Sequence, residues 1–204
     1  YHRWHKFRHD MLGEQYHITI HDTKTGTVQN INTNIYGGQN LGVPTWSPDG
    51  KKLLFHGMIK DKMQFGYFVF DINSKKITPI KTKINTSRND MEGRFDPNHT
   101  FSSDGKSILM LSNDQKRIIK IDLNSKRETT IFTGDDEIFQ FKLSNDNSKI
   151  AYGYMGNKRG NLYVVSATGG DAHRITAMRG IETDPSVSPD GKWLAFTSNQ
   201  YGNN

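Results

Sequence analysis

Five of the eight histidines in this 204-residue chain fall within its first 21 residues: His2, His5, His9, His17 and His21. Side chains alternate along a strand, so His5 and His9 would share a face with Arg3 and Phe7. Two imidazoles and a guanidinium on one face could hold a metal, bind a carboxylate or supply a general base. A second group, Arg88, Asp90, Glu92, Arg94 and His99, lies within or just after a long polar stretch over 83–98. His56 ends an apolar run, and Tyr152, Tyr154 and Arg159 flank another loop. Arginine with tyrosine and histidine suits an acidic sugar, because guanidinium grips carboxylate in bidentate fashion while aromatic rings stack on the ring. In a β-elimination, His99 or Tyr152 would remove the proton beside the carboxylate, and an arginine or a divalent metal would stabilise the charge that forms. His5, His9, His56, Arg88, Arg94 and Arg159 would then bind the ligand. The plainer reading of each cluster is solvated loop charge or packing between strands. No metal-ligand set is defined, and a cofactor enters only as a divalent metal accompanying lyase chemistry.

Composition narrows the chemistry. There is no cysteine, which excludes disulfides, thiol catalysis and thiolate metal sites. No phosphate-binding glycine loop, His-Glu-x-x-His or Gly-x-Ser-x-Gly is present, so no serine-hydrolase domain lies within these residues. The formal charge is +6, from 27 Lys and Arg against 21 Asp and Glu. The basic residues are spread along the chain, and a nucleic-acid partner is not expected. Mean hydropathy is −0.73, with no apolar run long enough for a transmembrane helix. The chain opens at Tyr1 with charged and aromatic residues rather than a secretory leader, and is expected to be a mature or excised chain. Asp135-Asp136-Glu137 reads as a solvated turn.

What must position these residues is a repeat. PTWSPDGKKLLFHG (44–57), HTFSSDGKSILMLSN (99–113), FKLSNDNSKIAYGY (141–154) and DPSVSPDGKWLAFTSN (184–199) share one frame. It is a strand, then Ser-x-Asp-Gly, then an apolar strand. Asp49, Asp104, Asp146 and Asp190 recur at steps of 55, 42 and 44 residues, the length of one four-stranded propeller blade. In such a turn the aspartate accepts from nearby backbone N–H groups and the glycine takes a positive φ. Asn147 stands in for that glycine in the third copy and tolerates the same conformation. Third strands (GYFVFDI, RIIKIDL, NLYVVSA), polar turns and fourth strands (KITPI, ETTIF, AHRIT) follow. Pro79 requires an edge strand, as a fourth strand is.

The fold class is therefore all-β, a β-propeller of four-stranded antiparallel blades, with almost no helix. About four blades are expected: an incomplete one over 1–40, then 41–82, 95–133 and 138–178, and an incomplete one over 183–204. The N-terminal strands could complete the C-terminal blade in a small ring, or the chain could belong to a larger propeller, which is the favoured expectation. Trp46 and Trp193 are expected to pack within or between blades.

WSPDGKKLLF and SPDGKWLAFTSNQYGN resemble the WD-like repeat of TolB-type propellers, and YVVSATGGDAHRIT is similar to their third strand, turn and fourth strand. The resemblance runs from Val43 onward. It implies an extracytoplasmic bacterial setting, periplasmic or secreted, and a binding platform for a protein or peptide partner. The same repeat occurs in polysaccharide lyases acting on uronic-acid polymers and in propellers preceding serine peptidase domains. These give two alternatives, with acidic polysaccharide as the partner in the first.

Overall fold

The computed structural model describes residues 18–31, 35–36, 44–59, 64–83, 98–112, 114–154, 160–177 and 180–200. Every regular element among them is a strand, and every pairing is antiparallel. The chain begins with a hairpin, β1 (Ile18–His21) and β2 (Val28–Ile31). Sheet A follows, built on β5 (Lys52–Ile59), β6 (Gln64–Asp71) and β7 (Ile77–Pro79). Two short strands, β3 (Ile35–Tyr36) and β4 (Thr45–Trp46), share the far edge of β5. Sheet B is β8 (His99–Phe101), β9 (Ser107–Leu111), β10 (Arg117–Asp122) and β11 (Glu128–Thr133), paired in that order. Sheet C repeats the order with β12 (Ile138–Leu143), β13 (Lys149–Tyr154), β14 (Asn161–Ser166) and β15 (His173–Arg174). A second hairpin, β16 (Glu182–Val187) and β17 (Leu194–Ser198), ends the described chain. Pro79 lies on β7, the outermost strand of its sheet, where its missing N–H removes no ladder bond.

The recurring aspartates explain why each first strand turns directly into a second. In sheet B the Ser102 hydroxyl donates to Asp104 at 2.6 Å, the same carboxylate accepts from the Lys106 amide at 3.0 Å, and the Ser102 oxygen accepts from the Ser107 amide at 2.9 Å. Gly105 closes the turn at φ +67°, a conformation that costs other residues about 1–2 kcal/mol. The same bonds recur at Ser47/Asp49, Ser144/Asp146 and Ser188/Asp190. Asn147 sits at φ +60° in place of glycine. These bonds hold the turn carboxylates below the ordinary range. The Ser144 hydroxyl and then that of Ser148 bring Asp146 down to about 2.

Turns between third and fourth strands use a different device. Asp71 accepts from the amides of Asn73 and Ser74, and Asp122 from those of Asn124 and Ser125. Asp22 accepts from Lys24 and Thr25 in the β1–β2 turn. The two terminal hairpins are thus different halves of one unit: β1–β2 carries the third-to-fourth turn, and β16–β17 the first-to-second turn.

Alternation along the strands gives each sheet two apolar faces, and successive sheets stack through them. Leu54, Tyr67 and Val69 of sheet A meet Phe101, Ile108, Met110, Ile119 and Ile121 of sheet B. Leu109, Leu111, Ile118 and Ile131 of sheet B meet Ile138, Phe141, Ile150, Tyr152 and Val165 of sheet C. Leu53, Phe55, Phe68 and Phe70 on the other face of sheet A cover Ile18, Ile20 and Ile31 of the first hairpin. The first-to-second turns of neighbouring sheets adjoin: the Ser103 amide donates to Asn147 at 2.8 Å, and a Cβ on Gly105 would lie 3.7 Å from Pro48 Cδ.

The two tryptophans depart from expectation. Trp46 is 47% exposed and Trp193 75%. Phe101, the counterpart of Trp46 one step before the turn serine, is 5% exposed beneath sheet A. Hairpin β1–β2 supplies only a third and fourth strand, so among the described residues Trp46 on the inner strand lacks the cover Phe101 receives.

Candidate functional site

The expected site residues fall into three places. His56 is buried in the middle of β5, on the seam between sheets A and B. The Tyr67 ring lies edge-on to it at 5.0 Å between centroids and edge-on to His99 of sheet B at 5.4 Å. His99 is also buried, and its Nε2 lies 3.3 Å from the Leu54 carbonyl across the seam. Burial, reinforced by the neighbouring His99, lowers the His56 pKa to about 4.

Tyr152 occupies the next seam. It is 1% exposed, 4.8 Å from the Phe132 ring and stacked on Tyr163 at 5.6 Å. Burial, with the two neighbouring phenols Tyr163 and Tyr154, pushes its pKa upward. His99 and Tyr152 therefore lie in different seams, on opposite faces of sheet B, and do not converge on one reacting group. A buried phenol with a raised pKa is also poorly suited to accept a proton at neutral pH. His56 likewise faces a seam rather than a loop. His5, His9, Arg88, Arg94 and Arg159 lie outside the described residues. Asp135 and Glu137 are exposed on the connection from sheet B to sheet C, as expected of a solvated turn. No group of three or more metal-ligating side chains occurs among the described residues.

Two features went unread in the sequence. Ser112-x-Asp114-Gln115-Lys116 is a fifth copy of the Ser-x-Asp turn, placed between second and third strands. The Ser112 hydroxyl donates to Asp114, and the Ser112 oxygen accepts from the Arg117 amide at 3.0 Å. Gln115 takes the glycine position at φ +54°. Asp114 also pairs with Arg117 at 3.0 Å. This turn docks onto the B-to-C connection through Gly134 N to Lys116 O at 2.7 Å and Ile138 N to Gln115 O at 2.8 Å. The string SNDQK beside SPDGK was the available signal; its position outside the blade period concealed it.

The second is Glu182, fully buried at the start of β16. Its carboxylate accepts from the Thr176 hydroxyl at 3.1 Å and the Ser198 hydroxyl at 3.3 Å. Thr176 in turn accepts from the Leu162 amide, while Arg174 bonds Asn161 and the Thr176 carbonyl. Glu182 stands six residues before its turn serine, where sheet C has Ile138 six before Ser144. That replacement marks the third seam as polar where its counterpart is hydrocarbon.

No protein-family model matches the chain. Its sheets superpose on TolB from Acinetobacter baumannii with a TM-score of 0.66 and 21% identity, covering 88% of this chain and 42% of that one. The tricorn protease gives a TM-score of 0.64 and 18% identity over 89% of this chain and 17% of that one. The four-stranded sheets stacked face to face are the blades of a β-propeller. By sequence, the chain is 48% identical to the Tol-Pal system protein TolB of Bordetella pertussis over 42 residues, 20% of this chain and 10% of that protein. It is 26% identical to the uncharacterized peptidase YuxL of Bacillus subtilis over 190 residues, 89% of this chain. The chain spans a quarter of YuxL's length and under half of the Acinetobacter TolB chain. Its blades are of the TolB type.

Proposed function

We propose that the chain is part of a TolB-type propeller that binds a protein or peptide partner in the bacterial envelope. The observation that carries this reading is the TolB-type repeat itself, set on the described blades. The chain contributes an arc of about four blades to a larger ring, a reading supported by its coverage of under half of the Acinetobacter TolB chain. Loops on a rigid scaffold are the usual place for recognition. Here the sequences over 57–65, 83–98, 155–160 and 178–183 supply that variation, with Arg88, Arg94 and Arg159 as its anchoring cations. The test is capture of the full-length gene product from envelope fractions. A stoichiometric protein partner, lost when Arg88 and Arg94 are both changed to alanine in a folded protein, is expected. Recovery of the propeller alone from every fraction contradicts the reading.

The match to YuxL over most of the chain favours a second reading, the propeller of a peptidase. Peptide hydrolysis by the full-length product, abolished by a serine-directed inhibitor, would select it over the platform. The lyase reading has no support in the described geometry, since His56, His99 and Tyr152 are enclosed in packing seams.

A further inference from the structure

The first strand of a blade has a second strand on one side only: among the described residues β8 pairs with β9 alone and β12 with β13 alone. Its other edge faces the axis of a propeller. Hydrogen-bonding direction alternates along an antiparallel strand. The amides of the turn serines Ser102 and Ser144 point to the second strand, donating to Ser107 and Lys149. Three residues earlier, the main-chain groups of His99 and Phe141 therefore point to the axial edge. Both residues are buried, so these groups need partners.

Side chains of the preceding blade supply them. The Thr45 hydroxyl of sheet A donates to the His99 carbonyl at 3.4 Å. The Asn98 side-chain amide of sheet B donates to the Phe141 carbonyl and accepts from the Phe141 N–H, both at 3.0 Å. One amide thus offers a donor and an acceptor to one residue, as a neighbouring strand would. The strand β16 differs at this place. Three before its turn serine Ser188 stands Pro185, which has no N–H. A bulge lies between Thr183 and Ser186, with Asp184 at φ +53°, and it is the Asp184 N–H that meets the preceding blade. Gln140 of sheet C accepts from that N–H and donates to the Asp184 carboxylate at 3.3 Å. Asn98 and Gln140 hold the same place, four before their turn serines, and glutamine is longer by one methylene. We propose that this position is a strap between blades: its side chain holds the first strand of the next blade, and its length is matched to the N–H which that strand presents. Asparagine serves a blade with an N–H three before its turn serine, and glutamine serves one with proline there. The strap acts at the axial end of each seam, apart from the apolar contact between blade faces, and does not depend on the partner proposed above.

The test is amide exchange resolved to single residues in the full-length product. Asn98→Ala should speed exchange of the Phe141 amide about five- to tenfold, the effect of one hydrogen bond. The Asp184 amide, and the Ser144 amide bonded within sheet C, should keep their rates. Gln140→Ala should free the Asp184 amide and spare that of Phe141. Gln140→Asn is too short and should leave Asp184 exchanging as fast as the alanine variant does. Unchanged exchange at Phe141 in a folded Asn98→Ala protein overturns the strap, as does an equal rise at Ser144. Full protection of Asp184 in Gln140→Asn overturns the matching of length. Should a variant not fold, the unaltered protein decides. A nuclear Overhauser contact between the Asn98 side-chain amide and the Phe141 amide is expected, and its absence overturns the proposal.

Discussion

The A–B and B–C seams are built on the same backbone and differ in chemistry. Between sheets B and C the buried contact is hydrocarbon and phenol, with Ile118, Ile138, Phe141 and Ile150 at 1% exposure or less. Between sheets A and B the Tyr67 ring lies edge-on to two buried imidazoles, and His99 reaches across to the Leu54 carbonyl. A repeat therefore fixes where blades meet without fixing what their meeting depends on. The B–C seam is governed by packing, whereas the A–B seam also carries a proton balance.

The largest effect should come from the packed seam. Phe141→Ala is expected to cost about 3–5 kcal/mol, the usual range for a fully enclosed phenylalanine. Chemical denaturation at neutral pH would read it, and a loss below about 1 kcal/mol would mean the seam is not close-packed.

Acid should act on the other seam. His56 binds a proton less readily folded than unfolded, at about 4 against an ordinary 6.5. Its stabilising contribution is complete above pH 6.5 and is lost as pH falls toward 4. The upper limit is about 3.5 kcal/mol, at about 1.4 kcal/mol per unit. The turn aspartates are held below their ordinary range, so they remain ionised through most of that window. Amide exchange at pH 5 should therefore loosen β5, β6 and β8 before β12, β13 and β14. His56→Phe should remove most of the difference. Equal loosening of both seams would show that the imidazole is not the sensitive group.

The frame of both seams was legible because it depends on local chemistry. Ser-x-Asp-Gly needs only six consecutive residues to make its bonds, so four turns and the strands on either side could be read directly. The seams were not legible, because a side chain's face depends on the register with a partner sheet some 40–50 residues away, where His56 and Tyr152 look the same as loop-lining residues. Trp46 and Trp193 were misjudged for a related reason. Large aromatic rings suggest packing, but whether they are covered depends on which strands of the neighbouring blade are present. Glu182 went unnoticed among polar neighbours although it replaces an isoleucine.

Smaller effects sharpen the distinction between frame and seam. Ser102→Ala removes a hydroxyl that both donates to Asp104 and accepts from the Ser107 amide. It should cost about 1–2 kcal/mol by leaving the buried Ser107 amide with one partner fewer. The loss should be independent of pH between 5 and 7, unlike that of the A–B seam, and a denaturation series at the two pH values would check it. Asn147→Gly should change stability by less than about 0.5 kcal/mol. Relief at φ +60° offsets the exposed bond to the Ser103 amide, and a thermal scan would read the difference.

The account rests on successive Asp-turn hairpins being successive blades about one axis. Nuclear Overhauser contacts between the first-to-second turns test that order directly. The account predicts contacts from Pro48 to Gly105 and from the Ser103 amide to the Asn147 side chain, with none from Pro48 to Asn147. A contact between Pro48 and Asn147, or the absence of both neighbouring contacts in a folded chain, would contradict it.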